Sequence, residues 1–85
     1  MTLIAGTPTV EPSRLIDARG SFCPGPLMEL IRAIRESDVG TVIAVRSSDR
    51  GSRVDIPKWV EKAGHRLIGV DEVSGYDEIV VEKLH

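Results

Sequence analysis

The sequence holds one cysteine, Cys23, within Phe22-Cys23-Pro24-Gly25-Pro26-Leu27. Proline has no N–H, so it fits the first turn of a helix, where amides lack acceptors inside the helix. Pro24 and Pro26 therefore predict a helix that opens at Pro24, with both prolines in its first turn. Cys23 then serves as the N-cap or as the neighbour of the cap. A helix N-terminus carries roughly half a positive charge, and a thiol placed there ionises below its free pKa of about 8.5. Gly25 has no side chain, which would let its amide approach a sulfur anion. A persulfide on Cys23 would gain from the same field. No second cysteine exists to resolve it, so the thiol could hold or pass on a sulfur but could not close its own disulfide. The plain alternative is a cysteine packed as a small core hydrophobe.

The elements that would position this thiol can be read around it. Arg14-Leu15-Ile16-Asp17-Ala18 is expected as a short strand, followed by a loop from Arg19 to Phe22. In the helix after Cys23, Leu27, Leu30, Ile31 and Ile34 recur at i, i+3, i+4 and i+7, one apolar stripe. Ser37, Asp38 and Gly40 close it, with Gly40 available for a left-handed cap. Thr41–Arg46, nearly continuous in apolar and β-branched residues, predicts a central strand. Ser47–Ser52 reads as a loop rich in N-cap formers. A second stripe, Ile56, Trp59, Val60 and Ala63, predicts a second helix with Pro57 in its first turn and Gly64 as its stop. Strands are expected over 65–70, reaching as far as Val73, and over 78–83. Ser74-Gly75-Tyr76-Asp77 supplies the turn of an antiparallel hairpin between them.

The order is β-α-β-α-β-β, a two-layer α/β sandwich with a four-stranded mixed sheet and two helices on one face. The strand order stays open. Residues 1–13 are expected as a mobile N-terminal arm and residues 14–85 as a single domain. At 85 residues the chain buries about 60% of its unfolded surface, enough for one modest core. Eleven basic against thirteen acidic residues leave a net charge of −2, which gives no case for a nucleic-acid or membrane-surface footprint. One cysteine and two histidines cannot furnish a zinc cage, so neither metal nor cofactor is expected. No apolar run approaches the roughly 20 residues that span a bilayer. A free thiol without an export signal points to a reducing cytoplasm.

Leu15-Ile16-Asp17-Ala18-Arg19-Gly20 followed by Cys23-Pro24-Gly25-Pro26-Leu27 resembles the TusA (SirA-like) sulfur carrier family. The hallmark of that family is a C-P-x-P motif opening the first helix just after an L-D-x-x-G strand end. Asp49-Arg50-Gly51-Ser52-Arg53-Val54-Asp55-Ile56-Pro57 is similar to the second family motif, an acidic residue and proline, then Ser/Thr, then Asp-Ile-Pro. The likeness covers about residues 14–84. It implies a β-α-β-α-β-β sandwich like the C-terminal domain of a bacterial translation initiation factor. It also implies that Cys23 accepts sulfane sulfur as a persulfide from a cysteine desulfurase or rhodanese-type donor and passes it to an acceptor protein. Family destinations include tRNA thiolation, molybdenum cofactor assembly and sulfur oxidation. One position departs: Arg50 stands where the family has proline, which bears on partner choice more than on chemistry.

Around the thiol, Pro24, Gly25 and Pro26 are expected as supporting residues. Arg19, Asp49, Arg50 and Ser52 are candidates to face a partner or the thiolate. Arg19 and Arg53 read better as solvated surface arginines, Asp55 as a first-turn acid at the second helix and Asp17 as structural. Trp59 is expected in the core rather than as a docking anchor. Met28 is expected at an apolar rim beside Cys23 or at a core edge. His65 is expected to be an ordinary exposed histidine and His85 a mobile terminal one. A monomeric sulfur carrier leads. Behind it stand a non-catalytic interaction module and a single-thiol redox sensor that works through intermolecular disulfides.

Overall fold

The computed structural model describes residues 12–22 and 24–85. The elements are β1 (Arg14–Asp17), α1 (Gly25–Glu36), β2 (Val42–Ser47), α2 (Arg50–Ala63), β3 (Arg66–Val73) and β4 (Tyr76–Glu82). They make the expected four-stranded mixed sheet with two helices, and the strand order is β1-β2-β4-β3. β1 runs parallel to β2, whereas β4 is antiparallel to both β2 and β3. Steps from β1 to β2 and from β2 to β3 move the same way across the sheet. Crossovers of one hand therefore put both helices on the same face.

That face carries the core. Ile16, Ile43, Val45, Ile79 and Val81 of the sheet meet Leu30, Ala33 and Ile34 of α1 and Ile56 and Val60 of α2. In β4 the burial alternates along Asp77, Ile79 and Val81, the period of a strand covered on one face. The stripe of α1 is turned slightly from the expected one. Pro26, Leu30, Ala33 and Ile34 are buried, while Leu27 is half-buried against the core. Trp59 likewise packs on the core from its edge, as expected.

Several boundaries differ from the sequence reading. α2 begins at Arg50, inside the expected loop, because Asp49 caps it. The Oδ2 atom of Asp49 accepts from the Ser52 amide and the Ser52 hydroxyl, each at 3.0 Å. Pro57 consequently lies in the helix interior rather than its first turn. Its missing N–H leaves the carbonyl of Arg53, an exposed residue, without a helical donor. Gly64 ends α2 in the left-handed region at φ 82°, where a Cβ would also meet His85 Nε2 at 3.0 Å. α1 stops earlier than Gly40, with Ser37 as its C-cap. Tyr76 and Asp77 belong to β4, which leaves Ser74 and Gly75 as the hairpin turn.

The chain also ties its ends to the sheet. Ser13, the last residue of the expected arm, donates its amide to the Val42 carbonyl at 2.9 Å. Residues 1–11 lie outside the described residues. Lys83 Nζ donates to the carbonyls of Ile34 at 2.7 Å and Ser37 at 2.6 Å, a cation on the C-terminus of α1. His85, expected to be mobile, stacks on His65 with ring centroids 4.6 Å apart, and its Nε2 lies 2.8 Å from the Ala63 carbonyl.

Removal of the α2 cap tests why the helix starts where it does. Asp49→Ala should lower stability by about 1 kcal/mol. Urea unfolding would show a lower midpoint with an unchanged slope.

Candidate functional site

β1 and β2 are parallel, so the chain leaves both at the same end of the sheet. Residues 18–22, which lead into Cys23, and the turn Ser48-Asp49 therefore lie side by side. Antiparallel β4 adds the Ser74-Gly75 hairpin at that end. The first loop is held by its backbone. Ala18 N–H donates to the Arg46 carbonyl at 2.9 Å and Ser21 N–H to the Ala18 carbonyl at 3.1 Å. Gly20 N–H donates to Ser48 Oγ at 3.0 Å, which fastens one loop to the other.

Cys23 lies outside the described residues, but its neighbours in the chain do not. Phe22 is 78% exposed and Met28 is 56% exposed, so Met28 belongs to an apolar rim rather than to the core edge. Pro24 is exposed and is the N-cap of α1, one position earlier than the expected first turn. Pro26, at the second helical position, is fully buried. The Gly25 amide does not stand open for a sulfur anion. It donates to the Phe22 carbonyl at 2.7 Å. Pro24 and Pro26 have no N–H, so Leu27 is the remaining N–H bearer of the first turn. The charge of the helix end persists, but it acts through fewer amides than the sequence suggested.

The other candidates separate into two groups. Ser52 is fully buried and its hydroxyl donates to Asp49, so it presents no surface to a partner. Asp49 serves the same cap. Asp55 is the sixth residue of α2 and thus lies beyond the first turn. Arg50 is exposed at the start of α2. Arg19 is exposed at the surface, and its guanidinium is engaged. Its Nε and one terminal nitrogen grip the two carboxylate oxygens of Asp17 at 2.8 and 2.7 Å. The Asp17 carboxyl, hydrogen-bonded by this guanidinium and by the Arg19 amide, is held down to about 2. The same bond raises the Arg19 pKa. Arg19 also lies over the Tyr76 ring, 4.9 Å from its centroid, and Arg46 approaches the ring at 5.6 Å.

His65 sits at the opposite end, after α2, as the sequence indicated. Burial pushes its pKa down, and His85 and Lys83 add to the effect. Its Nδ1 accepts the Leu84 amide at 3.2 Å, which suits a neutral ring. Three contributors went unread in the sequence: Ser48, Tyr76 and Asp77. Asp77 is 7% exposed and faces Arg53 Nε at 3.9 Å. An acid in register with Ile79 and Val81 on the inward face was the available signal. Among the described residues no group of three or more His, Cys, Asp or Glu could hold a metal ion. No helix among them is long and apolar enough to cross a membrane.

Residues 14–83 match the family model for Sulfurtransferase TusA. The chain belongs to the TusA family. A protein of Archaeoglobus fulgidus named as a candidate sulfur carrier is 54% identical over 70 residues, spanning 82% of this chain and 96% of that protein. Sulfur carrier protein TusA of Pseudomonas entomophila is 42% identical over 60 residues, 71% of this chain and 75% of its own. The crystal structure of a SirA-like protein from Desulfitobacterium hafniense has a TM-score of 0.74 at 26% identity. It covers 85% of this chain and 99% of its own. The TusA match thus spans both β–α turns described above. As a member of a sulfur carrier family, the chain interacts with proteins that donate and accept sulfur.

The clamp on Asp17 can be checked by titration. Because its folded pKa lies below the ordinary value of 3.8, the ionised carboxylate stabilises the fold above about pH 4, and that contribution is lost as pH falls toward 2. Carboxyl NMR should place Asp17 near 2 in the native chain. In Arg19→Ala the titration should rise toward 3.8 but stay below it, because the residue-19 amide still donates to Asp17 Oδ1, and the stability change across that window should shrink.

Proposed function

We propose that Cys23 holds sulfane sulfur as a persulfide and relays it between a donor protein and an acceptor protein in the cytoplasm. The observation that carries this reading is the TusA match across residues 14–83, within which Cys23 directly precedes Pro24, the N-cap of α1, and Gly25-Pro26 opens the helix. The exposed side chains of Phe22 and Met28 give a partner an apolar rim to press against, with Pro24 between them.

The chemistry needs one thiolate on this chain. In loading, the Cys23 thiolate attacks the outer sulfur of a donor persulfide, R–S–SH. The S–S bond of the donor breaks, a new one forms on Cys23, and R–S⁻ departs with the electron pair. In delivery an acceptor thiolate attacks the outer sulfur of Cys23–S–SH and Cys23 leaves as thiolate. No oxidant is consumed in either step. The donor is of the cysteine desulfurase or rhodanese type, and the acceptor serves tRNA thiolation, molybdenum cofactor assembly or sulfur oxidation. Nucleophilic attack at sulfur asks for thiolate character and access, which the positive end of α1 favours.

Incubation with a cysteine desulfurase and cysteine, or with polysulfide, should add one sulfur atom to the intact mass. The gain should vanish with reducing agent and be absent in Cys23→Ser. Absence of any adduct with every donor would overturn the reading. Dimers alone under mild oxidant would point to a redox sensor.

A further inference from the structure

The structure carries an inference about the acceptor, resting on the reading of Cys23 as the sulfur-bearing residue. At the end of the sheet where segment 18–22 lies, most guanidiniums are spent on an acid of this chain. Arg19 holds Asp17 at 2.7 Å, Arg46 reaches Glu78 at 3.2 Å and Arg53 approaches Asp77 at 3.9 Å. Among the described residues Arg50 has no ion-pair partner, and its side chain is exposed. Its neighbour Asp49 directs Oδ2 to the α2 cap.

Arg50 lines a groove of about 630 Å³ between the first turns of α2 and the β3–β4 hairpin. Ser48, Arg50 and Arg53 form one side, and Glu72, Tyr76 and Asp77 form the other. Asp77 is nearly buried and turned to Arg53, so it does not answer Arg50. The groove adjoins the cysteine loop at two points. Ser48 Oγ accepts the Gly20 amide, and Arg19 lies over the Tyr76 ring. A chain segment that approaches the loop of residues 18–22, which leads into Cys23, has this groove beside it. A guanidinium presents a planar fork of donors that matches a carboxylate. Arg50 also stands where the family motif carries proline, a residue with neither charge nor donor.

We propose that Arg50 is a specificity-determining residue that selects acceptor segments carrying a carboxylate beside the acceptor cysteine. The acceptor thiolate attacks the outer sulfur of Cys23–S–SH, the Cys23 S–S bond breaks and the acceptor takes the sulfur as its own persulfide. Arg50 takes no part in those bonds. It raises the population of encounters in which the two sulfurs are aligned. A rim charge of this kind acts on the rate of association and is screened by salt.

The test uses the full chain loaded on Cys23 with polysulfide. Three short peptides, each with one central cysteine flanked by glutamate, glutamine or lysine, serve as acceptors, and the glutamine peptide is the reference. Second-order transfer rates should rank glutamate above glutamine above lysine. Glutamate should exceed lysine by about tenfold at low ionic strength, and the gap should narrow as salt is added. Arg50→Gln should flatten the ranking and Arg50→Glu should reverse it. No preference in the native chain, or a preference that both variants retain, would overturn the proposal. If Cys23 takes up no sulfur from any donor, the carrier reading fails by itself. The groove is then judged by NMR titration of the unloaded chain with the glutamate peptide. Saturable shifts at Arg50 and Tyr76 that Arg50→Glu abolishes uphold carboxylate recognition, and their absence refutes it.

Discussion

The parallel pairing of β1 with β2 is the constraint on which the rest of the molecule depends. β1 has four residues, in register from Arg14 opposite Ile43 to Asp17 opposite Arg46. Amides on either side lengthen the ladder, Ser13 to the Val42 carbonyl and Ala18 to the Arg46 carbonyl. Strands that run the same way release the chain at the same edge, so both following helices must start there. An antiparallel β1 would have sent the cysteine segment to the far end, beside His65. β4, inserted between β2 and the outer strand β3, then brings the hairpin to the same edge. Three connections meet through backbone direction alone, before any side chain is considered.

The side chains at that edge do structural work. Asp49 begins a helix, Asp17 immobilises Arg19, and Asp77 and Glu78 engage Arg53 and Arg46. Asp17, held down to about 2 by Arg19, is the clearest case. Such a surface suits a sulfur carrier, which works with partner proteins. It also explains how an 85-residue chain with one modest core can serve transfer chemistry. The fold has only to offer a thiol at a fixed edge and a shape that a partner recognises.

Much of this was legible in the sequence, for identifiable reasons. The apolar stripes of α1 and α2 and the continuous run of β2 reflect burial on one face of a helix and in a central strand, and periodicity reports both directly. Strand order was hidden because it depends on which edge β3 reaches, and no local residue pattern encodes that choice. The start of α2 was missed because Ser47–Ser52 is rich in residues that favour loops and caps alike. Only the Asp49–Ser52 hydrogen bonds decide between those uses. Pro57 pulled the reading the same way, since proline tolerated in mid-helix looks identical to proline at a helix start. At the site, the engagement of Arg19 with Asp17 and the burial of Ser52 are not written in the local sequence. A bidentate grip on a residue two positions away and the burial of a hydroxyl both arise from tertiary placement. Gly25 was taken as an open amide, although the turn through Phe22 uses it.

Lys83 closes the molecule in a way that bears on its synthesis. The carbonyls at the end of the first helix receive their cation from a residue just past the last strand. That strand also fills the centre of the sheet. In a chain made from its N-terminus, residues 14–63 therefore precede the β4 partner of the central ladder. The architecture leaves both the centre of the sheet and the end of the first helix incomplete until residues 76–83 are in place.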